Sequence, residues 1–177
     1  MVKRRNVLTI QGFFSRFFHM KDLIRVYIWP NAMLKNLLKI TPYQEVRYKI
    51  WIRLGNKIGE DSYINNGLTL IDSPDLKPNI ILGDRVALAP NVTFITSSAP
   101  NNSVLKDKKC TKRYIKSASI SIGDDSWIGA SVIIQPGITI GKECIIGSCT
   151  NVTHDIPDGC IAYGNPVKII GRIINDL

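Results

Sequence analysis

From Ile58 onward a large apolar residue returns at every sixth position: Ile58, Ile64, Leu70, Leu76, Leu82, Leu88 and Phe94, then Ile122, Ile128, Ile134, Ile140, Ile146 and Val152. Glycine follows it at Gly59, Gly83, Gly123, Gly129, Gly141 and Gly147. Four places after it stands a smaller or branched residue, as at Ser62, Val86, Val92, Ser126, Val132, Cys144 and Thr150. A period of six fits neither the 3.6-residue helix nor the two-residue strand. It fits a chain that turns a corner every six residues, so that three hexads close one triangular coil. Each large side chain then points inward and stacks on its equivalent about 4.8 Å along the axis. The adjacent glycine is expected to permit the tight backbone of the corner. The pattern predicts an all-β parallel β-helix; a β-sandwich would not hold one register so long.

Two stretches depart from the ladder. The separation of Phe94 and Ile122 is not a multiple of six, which predicts an extruded loop at 99–118. The loop holds Asn101, Asn102, Lys106, Lys108, Lys109, Lys112, Arg113 and Lys116, with Asp107 its only acid. A loop of this length inside a compact domain is usually functional; the bland alternative is a flap without chemistry. The first 57 residues lack the repeat and read as an amphipathic helical segment. Pro30 and Pro42 divide it into two or three short helices, since proline breaks a helix interior. The expected organisation is a helical segment at 1–57, the hexad coil at 58–157 with its inserted loop, and a carboxy-terminal tail at 158–177.

Charge separates the same parts. Residues 1–57 hold twelve Lys and Arg against Asp22 and Glu45, a balance of +10, whereas the remainder is near neutral. Phe13, Phe14, Phe17, Phe18, Tyr27 and Trp29 are interleaved with this charge. Such a segment suits either peripheral contact with an anionic membrane or a helical cap on its own domain or a neighbouring subunit. No nucleic-acid-binding motif accompanies the charge, so no nucleic-acid partner is expected. No run approaches the roughly 18 apolar residues of a membrane span, and no secretory signal is read. Cys110, Cys144, Cys149 and Cys160 lack CxxC spacing and read as free thiols of a cytoplasmic protein.

At Ile122-Gly-Asp-Asp-Ser-Trp127-Ile-Gly-Ala130, at Gln135-Pro136-Gly137 and at Gly164-Asn165-Pro166-Val167-Lys168 the chain resembles the hexapeptide-repeat acyltransferases. The resemblance covers residues 47–172 and lies in the branch of maltose, galactoside and capsular-polysaccharide O-acetyltransferases. It implies a left-handed coil, against the usual right-handed crossover, a homotrimer, and acyl-CoA bound between neighbouring subunits. The implied reaction moves an acetyl group from acetyl-CoA to a hydroxyl of a sugar, free or nucleotide- or lipid-linked, in surface polysaccharide or glycan assembly. The expected place is the cytoplasm, with peripheral contact at the inner face of the membrane as one of the two readings of the basic head. Carried over by motif, Ala130, Ser148, Thr153 and His154 would flank the pantetheine arm. Lys168 and Arg172 would meet the nucleotide phosphates, and Asn65 and Trp127 would face the acceptor. Each also has a structural role open to it, Trp127 as a packed interface aromatic and Ser148 as a turn residue.

In that family a histidine after a short Thr-x-x stretch and before a proline takes the proton of the acceptor hydroxyl, for which imidazole is suited. The matching run here is Thr96-Ser97-Ser98-Ala99-Pro100, which puts Ala99 at the catalytic position. A methyl group accepts no proton. Four readings stay open: a deliberate His→Ala change, a substitute base (Asp107 or His154), a non-catalytic trimeric member that binds ligand or serves as a scaffold, and a different alignment of the loop with the family. Ser97 and Ser98 are poor bases without an activating partner and suit turn-capping instead. His19 reads as a surface residue of a helix.

Other owners of such a coil are set aside. Zinc carbonic anhydrases need three protein ligands, and two histidines cannot supply them, so no metal is expected. Sugar nucleotidyltransferases need a dinucleotide-type domain that 57 basic helical residues cannot form. Serine acetyltransferases carry a much larger helical domain ahead of the coil.

Overall fold

The computed structural model describes residues 10–72, 79–99, 102–108 and 114–173, with side chains from Ser15 onward apart from Lys106. Leu76, Asn101, Lys109, Cys110, Lys112 and Arg113 therefore lie outside the described residues. Three helices come first: α1 (Ile10–Ile28), α2 (Asn31–Ile40) and α3 (Gln44–Arg53). Pro30 stands directly before α2, where a missing N–H costs nothing, and Pro42 falls in the break before α3. Short strands follow, β1 (Lys57–Ile58), β2 (Tyr63–Ile64), β3 (Thr69–Ile71), β4 (Ile80–Leu82), β5 (Ala87–Leu88) and β6 (Thr93–Ile95). After an arm built on β7 (Ser97–Ser98) and β8 (Lys116–Ser117) come β9 (Ile120–Ile122), β10 (Trp127–Ile128), β11 (Ile133–Ile134), β12 (Thr139–Ile140), β13 (Ile145–Ile146) and β14 (Asn151–Val152). The chain closes with β15 (Cys160–Tyr163) and β16 (Lys168–Arg172).

The strands form three sheets that the chain visits in rotation. The first is β1-β4-β9-β12, the second β2-β5-β10-β13-β15-β16 and the third β3-β6-β11-β14. All their pairs are parallel except β15 with β16. Ser121 pairs with Thr139, Trp127 with Ile145 and Ile133 with Asn151, so one coil takes eighteen residues, or three hexads. The inward residues are the ones the period picks out: Ile64, Leu82, Leu88, Phe94, Ile122, Ile128, Ile134, Ile140, Ile146 and Val152 are all buried.

The ladder departs from the sequence count in one coil. Ile58 pairs with Leu82, twenty-four residues on, so the first coil holds one hexad more than it needs. The surplus lies between β3 and β4, where 73–78 falls outside the described residues. Six extra residues preserve the phase of the repeat, which is why the period in the sequence continues unbroken across this coil. The larger surplus enters after β6. Ser97 and Ser98 pair antiparallel with Ser117 and Lys116, so the expected loop leaves the coil as an arm with a two-stranded base.

Corner geometry corrects the part expected of glycine. The left-handed backbone falls three places after a ladder residue, on Asp61, Gly67, Arg85, Asn91, Asp125, Ser131, Gly137, Glu143 and Cys149, with φ of 53–80°. The glycine beside the ladder residue answers instead to the next coil. A Cβ on Gly129 would lie 2.6 Å from the Ser148 nitrogen and 2.7 Å from the Ile146 oxygen; on Gly123 it would lie 2.6 Å from the Lys142 nitrogen. Gly129→Ala is accordingly expected to destabilise the fold by about 3 kcal/mol, because the clash is with backbone that cannot swing aside. Glu143→Gly, which relieves a left-handed corner, should be neutral or stabilising by up to about 1 kcal/mol. Denaturant unfolding midpoints of the two variants check both signs.

Hydroxyls buried at the small inward positions tie coil to coil. Ser62 Oγ donates to the Gly83 carbonyl at 2.7 Å and accepts from the Val86 N–H at 2.9 Å. Ser126 repeats this with Gly141 and Cys144, and Thr150 Oγ1 accepts from the Gly164 N–H. A small polar residue is therefore favoured there: it fills the corner and satisfies a buried N–H that would otherwise be costly.

The helices close one end of the coil. Leu34, Leu37, Leu38, Val46, Ile50 and Trp51 join a single core with the ladder residues. Buried Arg47 donates to the carbonyls of Ile64 and Thr41, both at 2.7 Å, stitching α3 to the first coil. Its desolvation lowers the guanidinium pKa from the usual value without discharging it. No helix among the described residues is long and apolar enough to cross a membrane.

Candidate functional site

The candidate residues fall on two edges of the prism. At the corner between the second and third sheets, the Cys149 N–H donates to Ala130 O as the Ser131 N–H does to Pro90 O, so Ala130 and Ser148 stack one coil apart. Asn65 follows β2 on the same edge, nearer the helical end, where its Oδ1 accepts from the Asn66 N–H at 2.9 Å. Trp127 projects outward from the second sheet, 56% exposed, between Ala87 and Ile145. Lys168 and Arg172 are exposed on β16, which covers the far end of that sheet.

The corner between the third and first sheets carries the rest. Phe94, Ile134 and Val152 are successive rungs, so His154 stands two coil steps from Thr96, about 10 Å along the axis. Thr153 and His154 are both exposed, with Thr153 Oγ1 3.4 Å from His154 Nδ1. Ala99 lies just past β7, exposed, on the arm that leaves at this corner. Ser98 Oγ donates to the Tyr114 carbonyl across the paired base of the arm, a contact between strands and not the turn-capping expected of it. Asp107 ends a short 3-10 turn, Val104–Asp107, farther out on the arm. Within one chain the third sheet therefore separates the Ala130–Ser148 edge from the Ala99–His154 edge.

His19 departs from the surface position expected of it. It is half-buried in the helical cap, its ring packed against Tyr43 at 4.6 Å and its Nε2 3.4 Å from a Glu45 oxygen. The hydrogen bond from Lys49 comes first in holding the Glu45 carboxyl below its usual pKa. This histidine belongs to the cap and to neither candidate edge.

An amide string next to Thr153 went unassigned in the sequence. Gln135 Nε2 donates to Asn151 Oδ1 at 3.0 Å, and Asn151 Nδ2 donates to Asn165 Oδ1 at 3.2 Å. The string runs along the axis across the last coils. Only the eighteen-residue step reveals it, since the three residues are distant in sequence. At the remaining corner carboxylates do similar work: Asp124 Oδ1 accepts from the Asp84 N–H, and Asp158 Oδ1 from the Lys142 N–H. The hydrogen bond from Lys142 is the main cause holding the Asp124 carboxyl below its usual pKa, and the bond from Arg85 does the same for Asp125.

The arrangement offers an edge of small residues for a slender ligand arm, two exposed cations for anionic groups, and an arm beside a position that holds only a methyl group. Known proteins resemble the chain in sequence and fold. Residues 119–154 match the bacterial transferase hexapeptide (six repeats) model. The galactoside O-acetyltransferase of Escherichia coli K12 is 40% identical over 119 residues, which is 67% of this chain and 54% of that protein. The chain thus spans about half the length of that curated relative. The crystal structure of a maltose O-acetyltransferase from Clostridium difficile 630 is 30% identical, with a TM-score of 0.55 over 82% of this chain and 85% of that one. A hexapeptide-repeat acetyltransferase of Vibrio cholerae, solved in complex with acetyl-CoA, shares the fold at a TM-score of 0.56 and 20% identity, covering 82% and 86% of the two chains.

Proposed function

We propose, from the premise that this chain belongs to the hexapeptide-repeat acetyltransferases, that it moves an acetyl group from acetyl-CoA to a sugar hydroxyl in surface polysaccharide or glycan assembly. The observation carrying the reading is the match to a maltose O-acetyltransferase along 85% of that structure, joined by 40% identity to a galactoside O-acetyltransferase. Membership also supports a left-handed coil and a cytoplasmic place, where acetyl-CoA is made. The parts of this reading are the helical head 1–57, the coil 58–157 and the closing tail 158–177.

The division of the candidates between two edges supports a homotrimer. One copy's Ala130–Ser148 edge meets its neighbour's Ala99–His154 edge, and the donor's arm lies between them. An outward column on the second sheet suits the contact: Tyr63, Ala87, Trp127, Ile145 and Ile161 stand in register, all apolar or aromatic. Trp127 and Asn65 face the acceptor beside it. Lys168 and Arg172 meet the phosphates of the donor, and Thr153 and His154 its pantetheine. In transfer, the acceptor oxygen attacks the thioester carbonyl as its proton passes to a base, the C–S bond breaks, and coenzyme A leaves as the thiol.

Ala99 favours a second reading, a non-catalytic trimeric scaffold or ligand-binding member. Acetyl transfer requires donor binding, which a scaffold does not. The double variant Lys168→Ala with Arg172→Ala is expected to weaken coenzyme A binding about tenfold or more in calorimetric titration, through loss of charge-assisted bonds to phosphate. Equal affinity of parent and double variant would remove these cations from the site. No binding by the parent would sink the transfer reading and favour the scaffold.

A further inference from the structure

We propose that the outward face of α1 seats this protein on the surface of an anionic lipid bilayer. Phe17, Met20, Ile24, Tyr27 and Ile28 are all exposed, Tyr27 at 70% and Ile28 at 71%. At 3.6 residues per turn these five side chains fall within about 100° of one helix face. The opposite face is spoken for: Val26 is buried in the core, and buried Asp22 accepts from Arg25 at 2.7 Å and from Thr41 at 3.2 Å. Arg16 and Lys21 border the apolar arc on its two sides, both exposed. Lys21 Nζ rests 4.1 Å from the centre of the Phe17 ring, so the cation lies at the margin of the apolar surface. That is the placement a lysine takes when its stem lies on apolar groups and its head meets phosphate.

Charge selects the occupant. The head's two acids are both engaged inside it, Asp22 by Arg25 and Glu45 by Lys49. Arg47 is buried and Lys35 pairs with Asp72, but Arg16, Lys21, Lys39 and Lys57 are exposed, and Lys3, Arg4 and Arg5 precede the helix in sequence. A second copy docking face to face on this arc would bring two such heads together, which like-charge repulsion opposes. The apolar column of the second sheet serves self-association without that cost. An anionic bilayer answers both halves of the face at once: the arc enters the headgroup region, and the bordering cations meet lipid phosphate. The inference goes beyond acetyl transfer and stands independently of it. It would place the coil beside acceptors carried on membrane lipids.

The test is co-sedimentation of the full chain with vesicles of phosphatidylcholine alone and of phosphatidylcholine mixed with phosphatidylglycerol. Two variants accompany it, Ile24→Glu with Tyr27→Glu on the arc and Arg16→Glu with Lys21→Glu on its borders. These side chains are exposed, so folding should be preserved, and circular dichroism with coenzyme A titration verifies this separately. The expected result is partition onto the anionic vesicles only, weakened by salt, and reduced at least about tenfold by either variant. Absence of partition, equal partition onto the neutral vesicles, or indifference to both variants would overturn the proposal. So would a change of oligomeric state in the arc variant without lipid, which would make the arc a contact between copies.

Discussion

Ala99→His is expected to raise acetyl transfer from acetyl-CoA to a sugar acceptor by about 10²–10⁴-fold over the parent chain, the range a positioned general base supplies. The position can take the larger side chain. Ala99 is exposed beyond the paired base of the arm, and Ser98 beside it is held to the Tyr114 carbonyl. An imidazole there becomes competent as it loses its proton, so the rate should climb with pH through roughly 6–7, around the ordinary histidine pKa of about 6.5. Labelled acetyl-CoA with a panel of free, nucleotide-linked and lipid-linked sugars measures the effect and names the acceptor. A parent already as active as the variant would mean that another group takes the proton. Asp107→Asn and His154→Ala would then show which. Silence from both, on a panel that a known relative can use, would favour the scaffold reading.

Trp51→Ala is expected to cost about 4 kcal/mol of stability, the largest structural effect anticipated for a single side chain here. The indole is fully buried between the helical cap and the coil. It meets Phe94, a rung of the ladder, edge to face at 5.7 Å and 68°. Its Nε1 donates to the Lys57 carbonyl at 2.9 Å, at the start of the first strand. Removing it opens a cavity, loses the aromatic contact and leaves that carbonyl without its donor, three effects of one sign. Denaturant unfolding gives the loss, and hydrogen exchange should show it falling first on α3 and the first coil. A loss below about 1 kcal/mol would mean that the cap is held mainly by other contacts.

The coil was legible because its interior imposes one demand over and over. Each corner must bury a large side chain, and a demand repeated every six residues survives in a single sequence. The arm was legible for the same reason, since twenty-two surplus residues shift the phase and six do not. Six more residues between β3 and β4 shift nothing, so the period runs on unbroken through a coil in which Ile58 pairs with Leu82. The glycines were misjudged because their constraint is not local. Gly129 is limited by Ser148 and Ile146 one coil away, whereas the corner itself falls to residues such as Ser131, with φ 57°. Nothing near His19 in sequence announces Tyr43 and Glu45, which meet it across the cap.

The candidate site was legible as short motifs but not as an assembly. Ala130, Ser148 and His154 could each be picked from neighbouring residues, yet which edge each occupies depends on the coil register. The amide string Gln135–Asn151–Asn165 depends on it too. Side chains on two edges of one prism cannot close on a common ligand within a single chain. That separation is what makes a neighbouring copy part of the proposed site.

The most direct test of that account is a crystal structure of the chain grown with coenzyme A. The account predicts a trimer with the pantetheine between Ala130 and Ser148 of one copy and Thr153 and His154 of the next. It predicts the phosphates at Lys168 and Arg172, and the thiol directed toward Ala99. Coenzyme A held by one chain alone, or a thiol remote from Ala99, would contradict it.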